Sequence, residues 1–313
     1  MRNYSTSDVL YKLKNKKVGV LFGGPSDERN VSIISGNAVI HALHALGVNV
    51  CGIDVDRNIV TKIKKEKIDI AYIALHGLIG EDGTIQGMLR MMGIPYTGCG
   101  VFASSLSMDK NLSKIFFKYF GILTPKWKIL KRFSTFPKIK RYPVIVKPSM
   151  GGSTIDVTIV KNRMYLSKAI KKAFRSEYTE EIIIEQFIKG KEITVGVLYG
   201  KALPVIEIIP KYGFYDFKCK YQKNGSKYVI PARINKETYE VSQLYAEKIY
   251  DRFKCSAVCR VDMIVDENNK VWVLENNTIP GMTKTSLLPS ASKEAGYNFE
   301  NLVLEILKSA LIK

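Results

Sequence analysis

At 313 residues, with 46% hydrophobic and 25% charged residues, the chain can build two or three packed units, and its composition is ordinary for a soluble protein. No apolar run approaches a membrane span and residues 1–8 lack the order of a secretory signal, so a cytoplasmic protein that enters no membrane is expected. The net charge of +19 invites nucleic acid, but the lysines are dispersed and not interleaved with aromatics; no nucleic-acid partner is expected, and a phosphate-rich small ligand suits the charge.

The first 16 residues read as a polar, basic extension without a clear element. Residues 17–22 form an apolar strand ending at Gly23-Gly24-Pro25. A helix follows, with Val31, Ile34, Ala38, Ala42 and Ala45 on one stripe and Gly47 as its stop. Residues 48–55 and 68–75 are two more strands, the second ending in His76-Gly77. Strands alternating with helices predict a parallel α/β domain over residues 17–106. Ligands gather at the carboxyl ends of such strands, where Gly23-Gly24 and His76-Gly77 lie. For Gly23 to Arg29, a plain helix cap at Ser26 or Asp27 and a cationic-ligand site at Glu28 are both open readings.

A second unit, residues 107–190, begins at the helix start Ser107-Met108-Asp109-Lys110. It holds the segment Trp127-Lys128-Ile129-Leu130, strands at 144–147, 157–160 and 182–185 and a helix near 166–174, with Pro125, Pro137 and Pro143 in the connections. Between two of these strands lies Pro148-Ser149-Met150-Gly151-Gly152-Ser153-Thr154. Glycines let backbone N–H groups approach phosphate oxygens, hydroxyls add donors, and Lys147 sets a cation beside the turn. It is not a Walker loop, because no Gly-Lys-Ser/Thr opens a helix. Five dispersed cysteines without a Cys-x-x-Cys pair fit reduced thiols, and they show no zinc spacing with the three histidines.

The third unit, residues 191–313, has strands at 192–198 and 202–209, a polar and aromatic stretch at 212–227, and helices at 236–253 and 298–311. Between those helices, residues 258–265 and 271–277 are β-branched runs around Asp266-Glu267-Asn268-Asn269-Lys270, which predicts an antiparallel hairpin. Alternation puts Arg260, Asp262 and Ile264 on one face of the first strand, and Val273, Glu275 and Asn277 on one face of the second. One register opposes Asp262 to Glu275 and Arg260 to Asn277. Facing carboxylates repel unless a cation intervenes, and the oxygen set Asp, Glu, Asn suits Mg²⁺; pairing of Asp262 with Arg260 is the plainer alternative.

The motifs of residues 23–32, Ala74-Leu75-His76-Gly77, residues 80–87, Tyr96-Thr97-Gly98 and Ser107-Met108-Asp109-Lys110 resemble those of the D-alanine–D-alanine ligases. So do Val146-Lys147-Pro148, residues 214–221, Arg260-Val261-Asp262 and residues 275–283. The resemblance runs in order from Lys17 to the C-terminus and leaves out only the extension. It implies α/β and α+β domains in the ATP-grasp fold, behind an N-terminal parallel α/β domain. It also implies the activity: ATP phosphorylates the carboxylate of one D-alanine, and the amine of a second attacks the acyl phosphate to give the peptidoglycan dipeptide. Magnesium, two ions replaceable by Mn²⁺, and a homodimer come with the family.

Residue roles follow from the same resemblance. Asp262, Glu275 and Asn277 are the implied metal ligands. Lys110, Lys147, Gly151, Gly152, Ser153 and Thr154 face the ATP phosphates. Glu185 and Glu192 take the adenine amino group and the ribose hydroxyls, with Phe187, Ile188 and Lys220 as further ATP contacts. Arg260 and the Gly281 N–H stabilise the tetrahedral oxyanion. Glu28 receives the first D-alanine's ammonium, His76 orients that substrate, and Ser286 and Leu287 lie near the carboxylate of the second. Tyr221, on a closing loop, bonds Ser153 and Glu28 and favours an amine over D-lactate as second substrate, an ester-forming or other carboxylate–amine ligase being the runner-up. Two departures stand out: Asp156 occupies a position usually Gly, with slower lid closure or weaker ATP affinity expected and function retained, and Ile279 replaces the commoner Ser.

Overall fold

The computed structural model describes residues 5–176, 179–211 and 225–312; Lys220 and Tyr221, expected on the closing loop, lie outside them. The expectation of an element-free N-terminus is corrected at once by helix α1 (Thr6–Leu13). Ser5 caps it, with the Ser5 hydroxyl accepting from Asp8 N and the Asp8 carboxylate accepting from Ser5 N, a reciprocal capping box. Val9 and Leu13 are buried in the largest core cluster.

Strands β1 (Val18–Gly23), β2 (Val50–Val55) and β3 (Ile70–Ile73) form a parallel sheet in the order β2-β1-β3, connected by helices α2 (Arg29–Ala45) and α3 (Ile59–Glu66). The expected stripe of α2 is corrected. Ile34 is 58% exposed, whereas Ser32, Ser35, Gly36, Val39 and Leu43 join Val31 and Ala42 inside. The buried serines make up for their polarity with hydrogen bonds: Ser32 donates to the Ala74 carbonyl (2.8 Å) and accepts from Gly23 N (2.9 Å). Gly36 admits Phe22, whose Cβ would lie 2.5 Å from any Cβ added there.

Helices α4 (Thr84–Met91), α5 (Val101–Met108) and α6 (Lys110–Tyr119) lead into an antiparallel sheet of order β4-β7-β5-β6, built from β4 (Trp127–Lys131), β5 (Val144–Pro148), β6 (Thr158–Val160) and β7 (Glu181–Gln186). Helix α7 (Leu166–Ala173) covers one face through Leu166, Ala169, Ile170 and Ala173. The next sheet runs β11-β10-β8-β12-β13, from β8 (Gly190–Leu198), β10 (Ile206–Pro210), β11 (Ser226–Val229), β12 (Val258–Asp266) and β13 (Val271–Asn277), with β9 (Lys201–Ala202) also on β8. The strand expected over 202–209 is thus split around Pro204, whose ring removes an N–H. Helix α8 (Lys236–Arg252) packs against this sheet, and α9 (Leu287–Glu294) and α10 (Phe299–Lys308) close the chain. Leu198, Ile206 and Leu288 share one core cluster with Val18, Val20 and Leu43, so the parallel sheet and the large sheet are packed together. No described helix is long and apolar enough to cross a membrane.

Candidate active site

The β12–β13 hairpin has the expected register, Asp262 opposite Glu275 and Arg260 opposite Asn277. One expectation fails: Val273 does not share a face with Glu275 and Asn277. The pairing slips between Asp262 and Met263, where Met263 meets Val273 and leaves Leu274 extra, a β-bulge. The bulge reverses the phase of β13, so Val271, Val273 and Asn276 are buried while Leu274 and Glu275 both face a cavity. The Arg260 guanidinium holds both Asp262 oxygens, Nε to Oδ1 at 2.8 Å and Nη2 to Oδ2 at 2.7 Å, and Thr194 Oγ1 donates to Oδ1 at 2.6 Å. Glu275 Oε2 lies 3.6 Å from Lys110 Nζ.

The cavity that Asp262 and Glu275 wall is about 1410 Å³ and runs between the two antiparallel sheets. Lys147, Thr154, Glu185, Phe187, Ile188 and Glu192 line it too. On its wall Lys147 Nζ donates to Glu185 Oε1 at 2.7 Å. Lys114, not foreseen as part of the site, approaches Glu185 Oε2 at 2.9 Å while donating to Thr124 Oγ1 (2.8 Å). All three charges are buried. Burial works against the Glu185 carboxylate, but the two ammonium groups outweigh it and hold its pKa down at about 2. Burial pushes Lys114 down to about 8. Spacing held the clue to Lys114: it follows Lys110 by one helical turn, so both lie on one side of α6.

A second cavity of about 580 Å³ adjoins the first, and Glu28, Lys110, Gly151, Gly152 and Glu275 line both. His76, Ser153, Arg260, Asn277, Gly281, Ser286 and Leu287 are among its other lining residues. Glu28 is 5% exposed and accepts a hydrogen bond from Ser153 Oγ at Oε1. A Cβ on Gly152 would come within 2.5 Å of Glu28 Oε2, so a side chain there would displace the carboxylate from its present place. Ser26 does not cap α2. Its hydroxyl donates to the His76 carbonyl (2.6 Å) and accepts from Glu28 N (3.2 Å), while Glu28 is itself the N-cap without a side-chain cap bond. The glycine-rich turn carries Ser153, Thr154 and Asp156 at positive φ, +52°, +62° and +57°. Asp156 reaches Arg175 Nη2 at 3.3 Å. Lys110 Nζ donates to the Gly151 carbonyl, which ties the turn to α6.

Opposite Glu28, Thr283 N and Thr283 Oγ1 both meet Ser286 Oγ, at 3.1 and 2.7 Å, folding the Gly281 turn onto the start of α9. Two cavities thus meet at a lysine, a glycine turn and a carboxylate: one larger, with a mainly apolar wall that holds the fixed Glu185 carboxylate, the other smaller, with Glu28, His76 and Arg260 on its wall. A nucleotide and a small zwitterion suit these two cavities.

Residues 116–308 match the family described as D-ala D-ala ligase C-terminus, and residues 56–99 that described as D-ala D-ala ligase N-terminus. The chain belongs to the D-alanine–D-alanine ligase family. A D-alanine–D-alanine ligase of Citrifermentans bemidjiense is 45% identical over 305 residues, which cover 97% of this chain and 99% of that protein. The crystal structure of a D-alanine–D-alanine ligase from Bacillus anthracis complexed with ATP is similar at a TM-score of 0.83 and 35% identity, covering 95% of this chain and 98% of that one. The VanG D-Ala:D-Ser ligase from Enterococcus faecalis is similar at a TM-score of 0.80 and 30% identity, covering 95% and 99%. The two antiparallel sheets with the cavity between them are therefore those of an ATP-grasp ligase.

Proposed function

We infer that the chain joins two D-alanines at the expense of ATP, for peptidoglycan precursor synthesis, with ATP in the larger cavity and the D-alanines in the smaller one. The observation that carries the reading is the junction of the cavities, where Lys110, Gly151, Gly152 and Glu275 border both and bring a γ-phosphate beside a substrate carboxylate. A carboxylate has no leaving group, and phosphorylation supplies one. The first D-alanine's carboxylate oxygen bonds to the γ-phosphorus as the bond to the β–γ bridging oxygen breaks, releasing ADP. The free amine of the second then attacks the acyl carbon, phosphate leaves, and the new ammonium loses its proton. Glu28 holds the first ammonium, and Arg260 with the Gly281 N–H steadies the oxyanion. Ser286 and Leu287 border the second substrate's carboxylate. Lys147 and Lys110 meet phosphate oxygens, and Glu185 accepts from the adenine amino group.

The opposed carboxylates of Asp262 and Glu275, with the Asn277 side-chain oxygen, are an oxygen-only set on the cavity wall and suit Mg²⁺ or Mn²⁺. Two such ions would shield the phosphate charge. Lys220 and Tyr221 enter as proposed lid residues, the latter bonding Ser153 and Glu28. We also propose a cytoplasmic homodimer with the ATP-grasp halves at residues 107–190 and 191–313 behind the substrate domain at 17–106.

Phosphate release from ATP is measured with and without D-alanine, and with L-alanine, D-serine and D-lactate in its place. Release stimulated by D-alanine, with the dipeptide found by mass spectrometry, is expected. Release indifferent to D-alanine would overturn the assignment.

A further inference from the structure

Ser35 belongs to none of the residues assigned above, yet it joins one of them, His76, to the residue that follows another, Gly281. It sits in the second turn of α2 with no exposed surface. Its hydroxyl lies 3.1 Å from His76 Nε2 and accepts a hydrogen bond from the Met282 N–H at 3.2 Å. His76 ends the β3 connection in the parallel sheet, whereas Met282 follows Gly281 in the turn after β13, so one hydroxyl links a substrate-orienting ring to the oxyanion turn across 247 residues of sequence.

The proton count at Ser35 is restrictive. A hydroxyl owns one proton and two lone pairs, and the Met282 amide can only donate. The remaining acceptor beside Ser35 among the described residues is the imidazole nitrogen, so its proton points to Nε2. A nitrogen that accepts carries no proton, which leaves the ring N–H on Nδ1. That side faces Glu81, with Oε1 3.6 Å from Nδ1, and both residues line the small cavity. Glu81 Oε1 accepts from Gly77 N at 3.0 Å, which fixes the carboxylate in place. The opposite tautomer would leave the Ser35 proton buried without an acceptor.

We propose that Ser35 is a positioning residue that holds the His76 imidazole as its Nδ1–H tautomer, with the N–H turned to the substrate cavity, and locks that ring to the Gly281–Met282 turn. The proposal rests on the ligase reading only for its kinetic consequence, because the tautomer is a property of the unliganded protein.

The test is nitrogen NMR on full-length protein labelled with ¹⁵N-histidine, where His76 is distinguished from His41 and His44 by a His76→Gln control. In the wild type, above the pH at which the ring is neutral, an imine-type Nε2 and a protonated Nδ1 are expected. A protonated Nε2 would overturn the proposal even if every variant failed to fold. Ser35→Ala should mix the tautomers and raise KM for the first D-alanine about tenfold, the scale of one lost polar hydrogen bond, with KM for ATP unchanged. Ser35→Thr, which keeps the hydroxyl, should restore the wild-type spectrum. A Ser35→Ala spectrum identical to the wild type would also sink the idea. A changed tautomer with unchanged D-alanine kinetics would support the role of Ser35 and count against His76 as a substrate contact.

Discussion

Two carboxylates wall the same larger cavity and are neutralised in different ways. Glu185 is 4% exposed and is matched by two buried lysines of the chain's own, Lys114 and Lys147. Glu275, on the hairpin, keeps 27% of its side chain exposed and has Lys110 only at 3.6 Å, across from Asp262. The first site is finished by the protein, so it can present a fixed acceptor to a neutral base edge. The second is matched more loosely: Arg260 takes both Asp262 oxygens, while Glu275 stays partly exposed with its ammonium further away, which leaves room on the hairpin for the cations proposed above.

Removing charge from the hairpin tests the second half of that contrast and should have the largest effect. Asp262→Asn and Glu275→Gln should each lower kcat about a thousandfold, since several kcal/mol of phosphate-charge stabilisation are at stake, with little loss of melting temperature. D-alanine-dependent phosphate release and a thermal melt read the two effects. A stability loss in place of a rate loss would show that the hairpin carboxylates are structural.

At the buried triad the balance should invert. Lys114→Met strands part of the Glu185 charge and should cost about 3 kcal/mol in urea unfolding, the scale for breaking a buried pair. ATP KM should rise with it. The exposed Arg29–Asp54 pair, about half accessible on both sides, is the control, and its removal should cost well under about 1 kcal/mol.

Acid sharpens the same point. Glu185 has a pKa lowered to about 2 from its ordinary 4.5, so its contribution is fully present above the unfolded value and is lost as pH falls from there toward 2. Glu185→Gln should therefore flatten the fall of the urea midpoint in that window, and an unaltered acid limb would show that the ammonium groups do not hold the carboxylate ionised.

The smallest effect belongs to the glycine-rich turn. Asp156→Gly removes a non-glycine residue from φ +57° and a carboxylate from the cavity lining, at the loss of an ion pair to a mostly exposed Arg175. Relief of the left-handed backbone is worth about 1 kcal/mol, and ATP affinity by calorimetry should improve a few-fold; unchanged affinity would show that Arg175 already turns the charge away.

Much of the hairpin was legible from alternation and β-branched composition, including the pairing of Asp262 with Glu275. The bulge at Leu274 was not, because the slip is chosen by packing Val273 into the core and carries no residue signature of its own. The α2 stripe was misread for a related reason. Apolar period counts Ile34 and ignores Ser32 and Ser35, while the fold buries those serines because strand ends and an imidazole offer them partners. Ser5 and Asp8 show the converse: the capping box stood in the sequence three residues apart, and only the basic run around it hid the helix.

The sequence by itself determined the ligase family and the alternating α/β start, and it named part of the lining of the two cavities, since ordered motifs and local spacing are properties of the chain. Tertiary structure alone decided that Lys114 neutralises Glu185, that Thr194 donates to Asp262, and that Ser35 joins His76 to Met282. Those contacts link groups on different elements, and burial sets their strength. Where a charge loses its water is not written in its neighbours along the chain.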